Sequence, residues 1–176
     1  MISKNELENL FEIFKKNVLP SLYVGKEIEE PVTIEKIIEW SLYPVKDTKT
    51  GKHDHLYRIP KRIYSEMHDY LLEQKDKLES CNNFEDVLII VKGSNLIKDQ
   101  KSLTYYDIAD RISYKKGFHP EKIYLHAGTE KGLKNLGWSK KTNSITKSEF
   151  ESLIGFPIDL LPYQIESFLC IYKDEF

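Results

Sequence analysis

A five-residue apolar run, residues 87–91, constrains the fold more than any other feature of the sequence. It is short and rich in β-branched residues, which is typical of a strand buried on both faces. Residues 122–126, with three apolar side chains at their centre, predict a second strand. Between the two, Thr104 and Gly117 predict the start and the end of a helix. A helix there supplies the crossover that parallel strands need, so we expect 86–91 and 122–126 to be adjacent and parallel.

The first half of the chain has helical patterns instead. Ser3 begins a capping box ahead of an apolar stripe with helical spacing, and Thr33 and Pro60 each precede a further stripe. We therefore predict a mixed α/β fold with a helical N-terminal half and a small sheet, built around a strand–helix–strand–helix unit in residues 86–137. A length of 176 residues predicts one domain, residues 1–176.

Further local signals complete the secondary-structure prediction. Residues 42–46 and 55–59 could form a hairpin, because turn formers fill the segment between them. Thr146 begins another capping box, and Gly155 predicts the end of its helix. Residues 163–173 fit both a helix and a buried strand, and we favour the helix.

The composition excludes several classes of protein. Cys81 and Cys170 stand far apart in the sequence and belong to no CxxC motif, which excludes a disulfide scaffold. No apolar run approaches the roughly 20 residues that span a bilayer, and the N-terminus lacks the pattern of a signal peptide. We expect a soluble, cytoplasmic protein without a membrane association.

Basic and acidic residues are segregated along the chain. Residues 46–62 hold six Lys or Arg against two Asp, and 115–147 are also strongly basic, whereas 1–45 and 148–176 are acidic. The net charge of −2 argues against a globally basic nucleic-acid binder. The two basic segments are either ordinary solvated faces or parts of one anion-binding surface.

The best candidate for a ligand-binding or catalytic site is the segment 125–129, where a predicted strand leads into a predicted helix through a glycine. Unpaired backbone N–H groups and the helix dipole favour an anion at such a place. Gly128 and Thr129 would bind the anion, and His126 would be the catalytic acid or base, because its pKa lies near neutrality. The alternative is a closed turn in which Thr129 is only a helix cap.

Cations from elsewhere could complete this site. Lys131, Arg58 and Arg62 are the ligand-binding candidates, because arginine forks onto phosphate and lysine supplies a point charge. His53 and His55 would share one face of a strand and could chelate a metal together with a third ligand, but the sequence has no HExxH motif and no Cys partner for them, so metal binding there is left open. We otherwise predict no metal and no cofactor.

Three functions remain open, and they differ in their partners. We favour a non-catalytic protein-interaction partner of the bacterial immunity or accessory type, because segregated charge suits electrostatic docking to another protein chain. The alternative is an enzyme that processes nucleic acid or a phosphorylated ligand with the turn at 126–129. The second alternative is a non-catalytic nucleic-acid binder that uses segments 46–62 and 115–147. Whether the protein is an enzyme stays open at this point.

Overall fold

A computed structural model describes residues 2–22, 32–42, 60–97 and 101–176 of the chain. The described part is mostly helical and contains one small sheet. Its elements in chain order are α1 (Lys4–Asn17), α2 (Ile34–Leu42), α3 (Lys61–Glu73), α4 (Lys75–Ser80), α5 (Phe84–Gly93), α6 (Lys101–Lys115), β1 (Ile123–Tyr124), α7 (Ala127–Asn135), β2 (Ser144–Ile145), α8 (Lys147–Ile154) and α9 (Pro162–Ile171). None of these helices is both long enough and apolar enough to cross a bilayer.

The chain divides into two compact units. Unit 1 joins Met1–Glu27 to Pro120–Phe176, so the C-terminal part of the chain returns to α1. Unit 2 consists of Ile28–His119. The expectation of a single domain over residues 1–176 stays a prediction.

Aromatic side chains of α1 and α9 form the centre of unit 1. The ring of Phe168 stacks on that of Phe11 with 4.1 Å between centroids, and it meets Phe14 edge-on at 5.6 Å. Such pairs contribute about 0.5–1.5 kcal/mol each beyond the burial of their area. The remaining core side chains pack around them: Leu7, Ile123, Leu133, Ile145, Phe150, Leu160, Ile165 and Leu169.

Local signals place the helices of unit 1 as the sequence predicts. Ser3 and Thr146 each form a complete capping box at the start of α1 and α8. Gly155 ends α8 in the left-handed region at φ +80°, where glycine is favoured. The ambiguous segment 163–173 lies largely in helix α9, which begins at Pro162, so the helical prediction is confirmed.

The predicted parallel sheet is wrong. Strand β1 pairs antiparallel with β2, in a register that sets Ile123 opposite Ile145. Each strand has two residues, and the ladder is followed by a bond from the Leu125 amide to the Asn143 carbonyl at 2.8 Å. The strand at 122–126 is therefore real but shorter, and its partner comes from later in the chain.

The predicted strand at 86–91 is helix α5, so residues 86–137 do not form a strand–helix–strand–helix unit. The Asn83 side chain caps the helix by accepting a bond from the Asp86 amide at 2.9 Å. The apolar run is long enough to fill one helical face, since Val87, Leu88 and Val91 are buried while Ile89 is 68% exposed. The helix cap at Asn83 and the burial of only one face explain why this segment forms a helix although its β-branched residues favour a strand.

Helix α6 packs against α5 and α2 at the centre of unit 2. It begins at Lys101, so Thr104 is not its cap but a buried residue inside it. The guanidinium of buried Arg111 donates to the Ser41 carbonyl at 3.3 Å. The buried core of this unit includes Met67, Leu71, Leu88, Ile108 and Ile112. The hairpin strand 55–59 and all of 42–46 except Leu42, which ends α2, lie outside the described residues.

Candidate functional site

The turn singled out from the sequence follows β1 and opens α7, as predicted. Helix α7 begins at Ala127, however, with His126 in the N-cap position, so Thr129 is not the cap. The His126 side chain makes no capping hydrogen bond and is 5% exposed. Thr129 is fully buried. The candidate catalytic histidine is therefore enclosed by the protein.

A carboxylate of the chain itself lies at the first turn of α7. The Thr129 hydroxyl donates to Oε1 of Glu166, on α9, at 2.7 Å, and both side chains are buried. A helix N-terminus favours negative charge, and Glu166 places a carboxyl group of unit 1 there. The predicted phosphate position thus has a carboxyl group of the protein as its neighbour.

Two glycines bring α7 into close contact with α9. A Cβ atom on Gly128 would lie 2.6 Å from Cys170 Sγ, and one on Gly132 would lie 2.5 Å from the Leu169 carbonyl oxygen. These glycines are therefore needed for close packing of the two helices. Gly128 has a structural role in addition to the ligand-binding role predicted from the sequence.

Polar contacts join the exposed side of α7 to the residues that follow α9. The Lys131 ammonium forms an ion pair with Asp174 and lowers the pKa of that carboxyl group. The Asn135 side chain donates to the Lys173 carbonyl at 2.7 Å. Lys131 thus has a carboxylate partner, which offsets the positive charge that an anion would meet.

The arginines predicted for this site are not brought to it by any described contact. Arg62 lies on α3 in unit 2, exposed, with its Nε 3.2 Å from Glu66. Arg58, like His53 and His55, lies outside the described residues. The catalytic role of His126 and the ligand-binding roles of Gly128, Thr129, Lys131, Arg58 and Arg62 stay predictions. Across the described ranges, no three His, Cys, Asp or Glu residues cluster so that they could hold a metal ion.

Sequence reasoning missed a groove on unit 1 between α1 and the residues that follow α8. Its volume is about 490 Å³. Phe11, Phe156 and Ile158 supply its apolar surface. Its polar edge is lined by Glu8, Asn9, Glu12, Lys15 and Asp159. The groove is an apolar recess with a mainly acidic rim.

A second groove lies on the other side of α1. Its volume is about 500 Å³, and Ile2, Leu10 and Phe176 give it apolar surface while Glu6 and Glu175 give it negative charge. Asn9 lines both grooves, so the exposed face of α1 forms the ridge between them. We call this ridge with its two grooves the α1 face.

Ion pairs partly neutralise the rim of the α1 face. Lys4 lies 3.8 Å from Glu8 and 5.3 Å above the Phe156 ring, and Lys15 lies 2.9 Å from Glu12. Asp159 and Glu175 form no ion pair with the described residues. One carboxylate in each groove is therefore left for a partner.

A third, smaller groove of about 320 Å³ lies beside α8 in the same unit. Trp138, Lys140 and Leu153 line it together with Ser148, Glu149 and Ser152. The Lys140 ammonium already covers the Trp138 ring at 5.2 Å. One ammonium and one carboxylate, those of Lys140 and Glu149, line this groove, so it lacks the excess of negative charge found in the first groove.

Only the spacing of two acidic residues indicates the α1 face in the sequence. Glu8 and Glu12 are one helical turn apart on the side of α1 that the apolar stripe leaves free. Phe156 and Ile158 follow a predicted helix end and belong to no predicted element. The groove itself arises only when these distant segments meet.

Comparison with known proteins identifies no relative. No family model, no curated protein and no solved structure matches this chain.

Proposed function

We propose that this is a non-catalytic interaction protein that binds another protein chain through the α1 face of unit 1. The observation that carries the proposal is the pair of grooves on either side of Asn9, of which the first has an apolar floor and the second sets apolar side chains within a mainly polar lining. Such recesses accept the anchor side chains that dominate binding energy in protein interfaces. An immunity-type or accessory protein would act in this way.

An exposed isoleucine extends the apolar character of this face. Ile13 is 37% exposed on α1 and lies one helical turn beyond Asn9, on the same side of the helix. A polar rim around apolar recesses is typical of interfaces that form between separately folded chains. The α1 face thus combines apolar anchor sites with solubilising charge.

The turn at His126 gives less support to an enzyme. His126 and Thr129 are buried, and the Thr129 hydroxyl is engaged by Glu166. A general acid or base must come within hydrogen-bond reach of its substrate, which this enclosure opposes. The contacts between α7 and α9 are those of a structural interface.

A photo-crosslinking experiment tests the proposal. A photoreactive amino acid at position 9 of the full chain should yield a discrete adduct with another protein in the producing cells, and one at exposed Lys141 should not. The captured partner is then purified, and its Kd is measured against Asn9→Arg and against Asn143→Arg, a matched change at another exposed asparagine. We expect at least a tenfold weaker Kd for Asn9→Arg alone. Equal affinities for the two variants, or no adduct at position 9, would refute the proposal.

A further inference from the structure

We propose that the segment that occupies the α1 face is cationic, with apolar side chains that enter the two grooves and Lys or Arg side chains that pair with Asp159 and Glu175. This inference rests on the proposed function and specifies its partner. The carrying observation is the juxtaposition, in each groove, of apolar side chains and a carboxylate that forms no ion pair with the described residues.

The charge on the α1 face is one-sided. The first groove is lined by three carboxylates and the Lys15 ammonium, and the Lys4 ammonium lies beside it, 5.3 Å from the centre of the Phe156 ring, which leaves an excess of one negative charge. The second is lined by two carboxylates, Glu6 and Glu175, and by no basic side chain. The Glu6 carboxylate is engaged at the start of α1, where it accepts bonds from the amide and hydroxyl of Ser3 at 2.9 and 2.6 Å. A partner therefore meets a net negative surface, which attracts a cation and repels phosphate or nucleic acid.

Asp159 and Glu175 are the carboxylates best placed to pair with a partner. Both are exposed and follow ordered helices, α8 and α9, so their backbones are held near the grooves. Glu8 and Glu12 already have Lys4 and Lys15 as partners. A new cation gains most at a carboxylate that has no competing ammonium beside it.

The apolar side chains in the two grooves determine which side chains of the partner bind there. Phe156 and Ile158 are half-buried in the first groove, and Ile2, Leu10 and Phe176 are half-buried in the second. Each recess is large enough to accept an aliphatic or aromatic side chain. Apolar anchors supply most of the affinity, whereas rim charges increase the association rate and make it dependent on salt.

Selection of a random 12-residue peptide library on the full-length immobilised protein tests this inference at low ionic strength. Enriched peptides should carry a net positive charge together with aliphatic or aromatic residues. The Kd of an enriched peptide is then measured by fluorescence anisotropy. We expect it to weaken at least tenfold for Asp159→Lys and by less than twofold for Glu121→Lys, which makes the same charge change at an exposed residue that lines neither groove.

The other outcomes separate this inference from the proposed function. Enriched peptides that are neutral or acidic, but lose binding in Asn9→Arg, would overturn the cationic partner and leave the docking face intact. Equal losses in Asp159→Lys and Glu121→Lys would also overturn it, because general attraction would then explain the affinity. Dimerisation of the protein at low salt, abolished by Asp159→Lys, would assign the face to a second copy. Peptides that bind Asn9→Arg unchanged would overturn both proposals.

Discussion

The hydroxyl of Thr129 and the carboxylate of Glu166 are joined by a 2.7 Å hydrogen bond inside unit 1. This bond links the first turn of α7 to the middle of α9. It places a carboxyl group of the protein itself beside the helix start that the sequence marks as an anion site. The same helix pair is held together by Gly128 and Gly132, so the turn belongs to a packed interface.

Removal of the Thr129 hydroxyl should destabilise the protein. In Thr129→Val the Glu166 carboxylate loses this donor while the volume of the side chain is kept. We expect a loss of about 1.5–3 kcal/mol, the usual range for a hydrogen bond to a charged group. Urea unfolding followed by circular dichroism measures it. Thr129→Ser keeps the hydroxyl and should lose clearly less, and equal losses in the two variants would contradict this role for the bond.

A methyl group at Gly128 or Gly132 should separate α7 from α9. We expect Gly128→Ala and Gly132→Ala each to cost about 1–3 kcal/mol, as overpacking usually does. The obstacles differ, because the first Cβ meets the Cys170 sulfur and the second meets the Leu169 backbone. Cys170→Ala should therefore rescue Gly128→Ala but not Gly132→Ala. A double-mutant cycle by urea unfolding checks this, and rescue of both or of neither would show that the helices do not pack in this way.

Inorganic phosphate should not bind at the start of α7. The Glu166 carboxyl group already engages the buried Thr129 hydroxyl there, and Lys131 is paired with Asp174. In a ¹H–¹⁵N NMR titration with millimolar phosphate, at constant ionic strength, we expect no saturable shift of the Gly128 and Thr129 amides. A saturable shift at both amides would instead support the ligand-binding roles that the sequence suggests for this turn.

Substitutions along α5 distinguish the helix from the strand that the sequence favours. The helix buries Val87 and Leu88 and exposes Ile89, whereas a strand would place positions 87 and 89 on the same face. Leu88→Ala should therefore cost about 2–5 kcal/mol. Ile89→Ala should change the unfolding free energy by less than about 0.5 kcal/mol. A large loss at position 89 in urea unfolding would be inconsistent with the helix.

Acidification should destabilise unit 2 through His119. Burial lowers the pKa of His119 below its usual value near 6.5, and its ring packs 5.8 Å from that of Tyr114. The unfolded chain therefore takes up a proton at a higher pH than the folded one. The contribution of neutral His119 is complete above about pH 6.5 and is lost as the pH falls through the lower, folded-state pKa.

Two measurements check the behaviour of His119. An NMR titration of its ring protons should give a pKa below the ordinary histidine value. The difference in unfolding free energy between the wild type and His119→Gln should become less favourable to the wild type as the pH falls from 7.5 to 5. A difference that is constant over this range would contradict the buried, neutral histidine.

Contacts within one turn of chain could be predicted from the sequence. The capping boxes at Ser3 and Thr146 and the helix end at Gly155 were recognisable because all the atoms involved lie within a few residues. The helix at 163–173 was favoured on the same grounds, since Pro162 suits a first helical turn. The position of the His126 turn, between a strand and a helix, was predicted for the same reason.

The tertiary structure decided what these elements contact. An apolar run such as 87–91 satisfies both helical and strand periods when it is short, and the packing of one face against α6 decided for the helix. The partner of β1 is β2, because strand pairing depends on which segments approach each other in space.

At the candidate sites, too, some features follow from the local sequence and others only from the tertiary structure. The sequence by itself determined the residue types at the α7 turn and the acidic character of residues 148–176. Only the packing of α9 brought Glu166 to Thr129, and only the return of the C-terminal segment to α1 created grooves beside Glu8, Glu12 and Asp159. Helix caps depend on neighbouring atoms along the chain. Pockets depend on surfaces that meet only after long loops have closed, so local patterns carry little information about them.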